Sequence, residues 1–165
     1  MISDEYRRQN ELLHARSSTY GSGSGQKFKQ FIREVMKNSG SATVLDYGCG
    51  KGTLKQVLGD CVTNYDPAVA EWSAKPEPAD LVVCTDVLEH VEPEYLDDVI
   101  ADLRRLTKKV AFIVIACRKA NRHLDDGRNA HLIVEPPEWW LKKVSGTFDI
   151  FSQHVEPDNL MILCR

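Results

Sequence analysis

The sequence predicts an α/β fold: a doubly wound, mostly parallel sheet with helices on both faces, closing on a C-terminal antiparallel hairpin strand. Three observations carry this. Apolar, β-branched runs alternate with segments of helical period along most of the chain. Two of those runs, "ADLVVCTDVL" and "KVAFIVIAC", are apolar throughout, as strands covered on both faces must be. The chain then ends on "TFDIFSQHV", an "EPDN" turn and "LMILC", which reads as a hairpin.

The elements follow in order. Residues 1–25 form an N-terminal arm whose last piece, "YGSGSG", reads as a flexible joint. Residues 26–165 form a single domain. Phe28, Phe31, Ile32 and Val35 recur at helical spacing, so 26–37 is an amphipathic helix. "TVLDYG" is a short strand, followed by three glycines at alternate positions and a brief helix carrying Leu54, Val57 and Leu58. "CVTNYD" is a second strand, ended by Pro67, and "ADLVVCTDVL" is the next. Pro93 starts a helix with apolar Leu96, Val99, Ile100, Leu103 and Leu106. "KVAFIVIAC" is a buried strand, a polar loop follows, and "EWWLKKV" is a short helix before the hairpin.

Composition narrows the class. At 165 residues and 18.6 kDa, with 42% apolar and 27% charged residues, the chain supports one core. A formal charge of −3 gives no overall attraction for nucleic acid, so an anionic partner would need a local basic patch. The five cysteines contain no CxxC pair, which favours free thiols over a disulfide framework or a zinc site. "MISDEYRRQNELL" lacks an apolar leader and no run is long enough to span a bilayer, so the expected location is cytoplasmic, with no membrane partner.

The stretch "VLDYGCGKGTL" carries the chemistry. Gly48, Gly50 and Gly52 allow a sharp turn and close approach of a ligand. A dinucleotide fingerprint would place a sixth-position glycine where Thr53 stands, and a P-loop would end Gly-Lys-Ser/Thr; both patterns fail. The acid Asp46 before the glycines repels a diphosphate and favours a cationic or amine-bearing ligand. Twenty residues on, "NYDP" ends the second strand on Asp66, placed to accept the hydroxyls of a ribose. Together the two acids ask for a ribose joined to a cationic amino-acid end, a description that S-adenosylmethionine fits.

At these residues the sequence resembles the class I S-adenosylmethionine-dependent methyltransferases. "VLDYGCGKGTL" is similar to their glycine-rich motif, "NYDP" to the acidic end of their second strand, and "ADLVVCTDVLEHVEPEYL" to the fourth-strand motif of the "VLEHV" subgroup. "DGRNAHLI…PPEWW" and the small size resemble compact phage-encoded members. The resemblance implies a Rossmann-like sheet of seven strands. Tyr20, Asp46, Gly48, Cys49, Gly50, Asp66, Pro67, Thr85, Asp86 and Val87 would then surround the cofactor. Only thirteen residues separate Asp66 from Asp80, so the family's usual third strand is expected to be shortened or absent, with Trp72 offered as an adenine-stacking surface.

Methyl transfer needs alignment and, for a hydroxyl or ammonium acceptor, a base. His90 and His131 are the candidates. "DVLEH" reads in two ways: as the usual strand exit, with Glu89 and His90 in structural hydrogen bonds, or as part of a divalent-cation site. The second reading rests on similarity to small-RNA 3′-terminal 2′-O-methyltransferases and ubiquinone-pathway O-methyltransferases. It implies Asp86, Glu89, His90 and His131 as ligands for Mg²⁺ or Mn²⁺. Arg118, Lys119, Arg122 and Arg128 offer an anionic acceptor a basic rim, or form a solvated loop. Trp139 or Trp140 could wall the acceptor site, and the arm, through Tyr20, could act as a lid. The expected activity is methyl transfer to an O or N acceptor on a small molecule or a nucleotide or RNA end. A cofactor-binding regulatory module without turnover is the alternative from another class.

Overall fold

The computed structural model describes residues 2–17, 19–22 and 24–165. Six strands form one sheet: β1 (Val44–Tyr47), β2 (Val62–Tyr65), β3 (Ala79–Thr85), β4 (Thr107–Ala116), β5 (Ile150–Val155) and β6 (Asn159–Cys164). Their order is β2-β1-β3-β4-β6-β5. β2, β1, β3 and β4 run parallel, while β6 is antiparallel to both β4 and β5. The hairpin therefore inserts a single reversed strand, as its sequence predicts. The sheet has six strands where the family resemblance implies seven. Between Asp66 and β3 the chain forms a 3-10 turn at Ala70–Trp72 and no strand, leaving β2 at the edge.

Side-chain alternation along the strands sorts the core into two layers. Val44, Leu81, Val83, Phe112 and Val114 face α2 (Ser24–Ser39) and α3 (Thr53–Leu58), where Phe28, Ile32, Val35 and Leu54 close the layer. Leu45, Val82, Ala111, Ile113 and Ile115 face the opposite side. There α4 (Leu96–Leu106) contributes Val99, Ile100 and Leu103, and α5 (Pro137–Ser145) contributes Trp140 and Val144. Pro93 starts a 3-10 turn, Pro93–Tyr95, and the α-helix proper begins at Leu96. Trp140 is fully buried and Trp139 packs edge-on against it, and neither lines the cleft described below. All five cysteines are free thiols. Among the described residues no helix is long and apolar enough to cross a membrane.

The arm forms α1 (Asp4–Arg16), capped by the Ser3 hydroxyl, which accepts from the Tyr6 amide. It docks through polar contacts. Ser3 donates to both Glu92 carboxylate oxygens, and Gln9 donates to Asp126. The expected joint at 20–25 includes Gly23, which lies outside the described residues. Its other glycines serve close packing: a Cβ on Gly21 would stand 2.9 Å from the Cα of Gly50, and a Cβ on Gly50 only 2.5 Å from the Gly21 carbonyl oxygen. Lys51 N–H donates to that same carbonyl at 2.9 Å, so two bare backbones lock arm to domain.

Candidate active site

The sheet order reverses direction between β1 and β3, and the crevice at the carboxyl ends there is where such sheets bind ligands. It opens here as a cavity of about 340 Å³. Gly48, Gly50, Asp66 and Pro67 line it from the first two strands, and Thr85, Asp86 and Val87 from β3. His90, His131 and Tyr20 line it as well. Asp46 and Cys49 are buried and are not among the lining residues. Trp72 lies outside this cavity. It packs over Gly52 and borders a neighbouring hollow with Lys51 and His14.

The turn after β1 is held by backbone. The amides of Gly48 and Cys49 both donate to the Tyr65 carbonyl, at 2.7 and 3.1 Å. Asp66 then ties the turn to the end of β2: Oδ2 accepts from Gly50 N–H at 3.0 Å and Oδ1 from Ala68 N–H at 2.9 Å. Each oxygen keeps a further lone pair for a hydroxyl. Asp46 lies behind this turn, and burial, reinforced by the nearby Asp66 charge, pushes its carboxyl up to about 7. The folded state thus holds the Asp46 proton more tightly than the unfolded chain. Its contribution is complete below the unfolded pKa near 3.8 and is lost as pH rises toward 7. Denaturant melts should show stability falling across that window by on the order of 4 kcal/mol, and Asp46→Asn should flatten the profile. An unchanged slope in the variant would assign the dependence elsewhere.

At the exit of β3, Asp86 adopts φ +56°, a left-handed conformation uncommon outside glycine. Its amide donates to Val114, and burial raises its carboxyl above the ordinary range. The next turn (Leu88–His90) brings Glu89 and His90 under the loop that follows β4. His90 Nδ1 donates to the Ala130 carbonyl at 2.7 Å and His131 Nδ1 to the Arg118 carbonyl at 2.6 Å. A carbonyl only accepts, so both protons sit on Nδ1 and both Nε2 lone pairs are free. Burial lowers the pKa of both rings, His90 to about 4. Glu89 is fully buried: Oε1 accepts from Ala116 N–H at 2.9 Å, while Oε2 has no hydrogen-bond partner.

One ligand atom each from Glu89, His90 and His131 lies within 4.8 Å of the others. Asp86, the fourth expected ligand, is not in this group, although it lines the same cavity as the two histidines. The donor set that remains, two neutral imidazoles held by carbonyl second partners and one carboxylate with an orphaned oxygen, fits a divalent ion. With two nitrogens it suits Mn²⁺ or its transition-metal neighbours better than Mg²⁺.

The arm covers the cavity. Tyr6 hydroxyl donates to the His90 carbonyl, Asn10 to the Tyr6 carbonyl at 3.0 Å, and Tyr20 hydroxyl to Asn10 at 2.9 Å. His14 reaches both hollows and its Nδ1 is buried without a partner. Asn10 and the organising role of Asn129 were not visible in the sequence. A lone amide has no spacing signature, and α1 docks by polar side chains that leave little apolar periodicity. Asn129 joins the loop to itself by accepting from Ala120 N–H and donating to the Ala120 carbonyl.

A family model described as a methyltransferase domain matches residues 20–154. The chain belongs to this methyltransferase-domain family, and its fold is that of the class I S-adenosylmethionine-dependent methyltransferases. No curated protein matches the sequence. Among solved structures, DhpI in complex with SAH superposes with a TM-score of 0.65 at 14% identity, covering 99% of this chain and 98% of that one. The 1,6-didemethyltoxoflavin-N1-methyltransferase of Burkholderia thailandensis also gives 0.65 at 14% identity, over 96% and 87% of the two chains. NodS, an N-methyltransferase of Bradyrhizobium japonicum, gives 0.60 at 15%, over 85% of each. At these identities the likeness is one of fold.

Proposed function

We propose that this S-adenosylmethionine-dependent methyltransferase acts on an oxygen or nitrogen of a small molecule, with the acceptor seated beside His90 and His131. The observation that carries the reading is that the glycine turn, Asp66 and the histidine pair line one cavity closed by α1. Asp66 would hold the ribose hydroxyls. Pro67, Ala68 and Val87 would supply the apolar wall, and Asp66 the negative charge beside the turn. S-adenosylmethionine, when bound, would supply the sulfonium methyl for an in-line displacement: its C–S bond would break as the acceptor O–C or N–C bond formed, leaving a neutral thioether, with the acceptor proton passing to water. Tyr6, Asn10 and Tyr20 would hold the arm down as a lid and exclude bulk solvent.

Glu89, His90 and His131 would hold a divalent cation, which would lower the pKa of an acceptor hydroxyl and fix its position. The free Nε2 atoms and the orphaned Glu89 oxygen support this assignment over purely structural hydrogen bonds. Mn²⁺ at about a hundred times its dissociation constant should stabilise the protein by about 2.7 kcal/mol, or about 5–10 °C in melting temperature. His131→Ala should abolish that shift. An equal shift in the variant would remove the assignment. The cofactor reading is tested separately by calorimetry: heat on titrating S-adenosylhomocysteine is expected, and its absence would end the methyltransferase proposal. An S-adenosylhomocysteine-binding protein that methylates none of a broad acceptor panel would point instead to a regulatory module.

A further inference from the structure

The loop between β4 and α5 carries four cations that are unevenly paired. Arg128 is bonded to Asp126 at 2.7 Å and stands away from the cavity, and Lys119 also lies off it. On the facing arm, Arg16 is bonded to Asp125 at 2.8 Å. Arg118 and Arg122 do line the cavity. Arg118 donates to the neighbouring Lys119 carbonyl at 3.2 Å and has the Asp158 carboxylate at 4.0 Å, and Arg122 donates to a neutral acceptor, the Thr19 hydroxyl, at 2.8 Å. Among the described residues neither guanidinium has a carboxylate within hydrogen-bond distance.

Their backbone positions are fixed from the side of the histidines. The Arg118 carbonyl accepts from His131 Nδ1, and the Arg122 carbonyl accepts from Ala130 N–H at 3.0 Å. Asn129 pins Ala120 between them from both its donor and its acceptor. Two planar donor forks thus start from a fixed backbone at one wall of the cavity, so binding has only their side chains left to order. Guanidinium forks match carboxylate and phosphate oxygens and satisfy no neutral acceptor as well.

We infer that the acceptor is a small molecule bearing an oxyanion, a carboxylate or a phosphate, which Arg118 and Arg122 hold while its nucleophile lies beside His131; this rests on the methyltransferase reading above. A polynucleotide fits less well. Its phosphates need a cationic track, whereas Asp125 and Asp126 neutralise the loop's outer end, α1 covers the mouth, and the chain's formal charge is −3.

The test is calorimetry on protein saturated with S-adenosylhomocysteine, with inorganic phosphate and acetate as probes. Phosphate or acetate should bind the wild type, the tighter probe naming the acceptor's anion. Arg118→Ala/Arg122→Ala should weaken that binding at least tenfold. Arg118→Lys/Arg122→Lys should recover part of it, since charge is kept and the fork is lost. Both side chains are exposed, so folding is unaffected, and S-adenosylhomocysteine affinity should stay within twofold throughout. Equal anion binding by wild type and alanine variant overturns the inference. So does a tenfold loss of S-adenosylhomocysteine affinity in that variant, which would put the guanidiniums on the cofactor's own carboxylate. A 20-nucleotide RNA that binds tighter than phosphate, with steep salt dependence, overturns the small-molecule class. Failure of the wild type to bind S-adenosylhomocysteine is a separate result: it removes the methyltransferase reading and this inference with it.

Discussion

Asp66→Ala is expected to lower S-adenosylhomocysteine affinity by about a hundredfold or more, the loss of two hydrogen bonds to a charged acceptor at about 1.5–3 kcal/mol each. The variant loses more than a ligand contact. The carboxylate also receives Gly50 N–H and Ala68 N–H, so the turn after β1 and the end of β2 lose their common anchor. Asp66→Asn should fall between, because its carbonyl oxygen still accepts from Ala68 while its amide nitrogen cannot accept from Gly50. A thermodynamic cycle separates anchor from ligand contact. Removing the ribose hydroxyls, with a 2′,3′-dideoxy analogue, should cost the wild type heavily and the alanine variant little. Additive losses would mean that Asp66 shapes the turn without touching the ribose, and an alanine variant within threefold of wild type would remove both roles.

Gly48→Ala is expected to destabilise the fold by about 2–5 kcal/mol, combining left-handed backbone strain with overpacking. The residue sits at φ +76°, and a Cβ there would lie 2.4 Å from Val87 Cγ2 and 3.0 Å from Cγ1. Val87 is branched at Cβ and cannot swing away without leaving its rotamer. A control isolates the two causes. Gly40 has φ +62° with nothing within 4 Å of its added Cβ, so Gly40→Ala should show the backbone cost alone, about 1–2 kcal/mol. Adding Val87→Ala to Gly48→Ala should restore the difference. Thermal melts of the four proteins measure it, and equal losses at Gly40 and Gly48 would mean that the Val87 contact relaxes freely.

Much of the fold was legible because its signals are local. Val99, Ile100, Leu103 and Leu106 keep helical spacing whatever surrounds them, and the apolar runs of β3 and β4 can only be strands with two covered faces. The missing third strand was legible too, as a segment too short and proline-rich to hold one. Less was legible where a residue's meaning depends on its neighbours in space. "YGSGSG" looks like a flexible joint, yet Gly21 is small because Gly50 presses on it. Asp86 looks like a cation ligand by spacing, and in space it lines the same cavity without joining the Glu89, His90 and His131 group. Trp139 offers an aromatic face by sequence, and in space it packs edge-on against the buried Trp140.

By itself the sequence determined the alternation of strand and helix, the single reversed strand at the end, and the two acids that bracket the glycines. These follow from side-chain period and backbone permissiveness, which neighbouring residues along the chain already specify. Tertiary structure alone decided which cations face the cavity and which are neutralised, how Ala130 and Arg118 orient the two imidazoles, and how α1 closes over them. Several of those outcomes depend on hydrogen bonds and ion pairs between groups far apart in the chain, such as Gln9 with Asp126, Arg16 with Asp125 and His90 with Ala130. Linear spacing carries no information about such pairs until the sheet has brought them together.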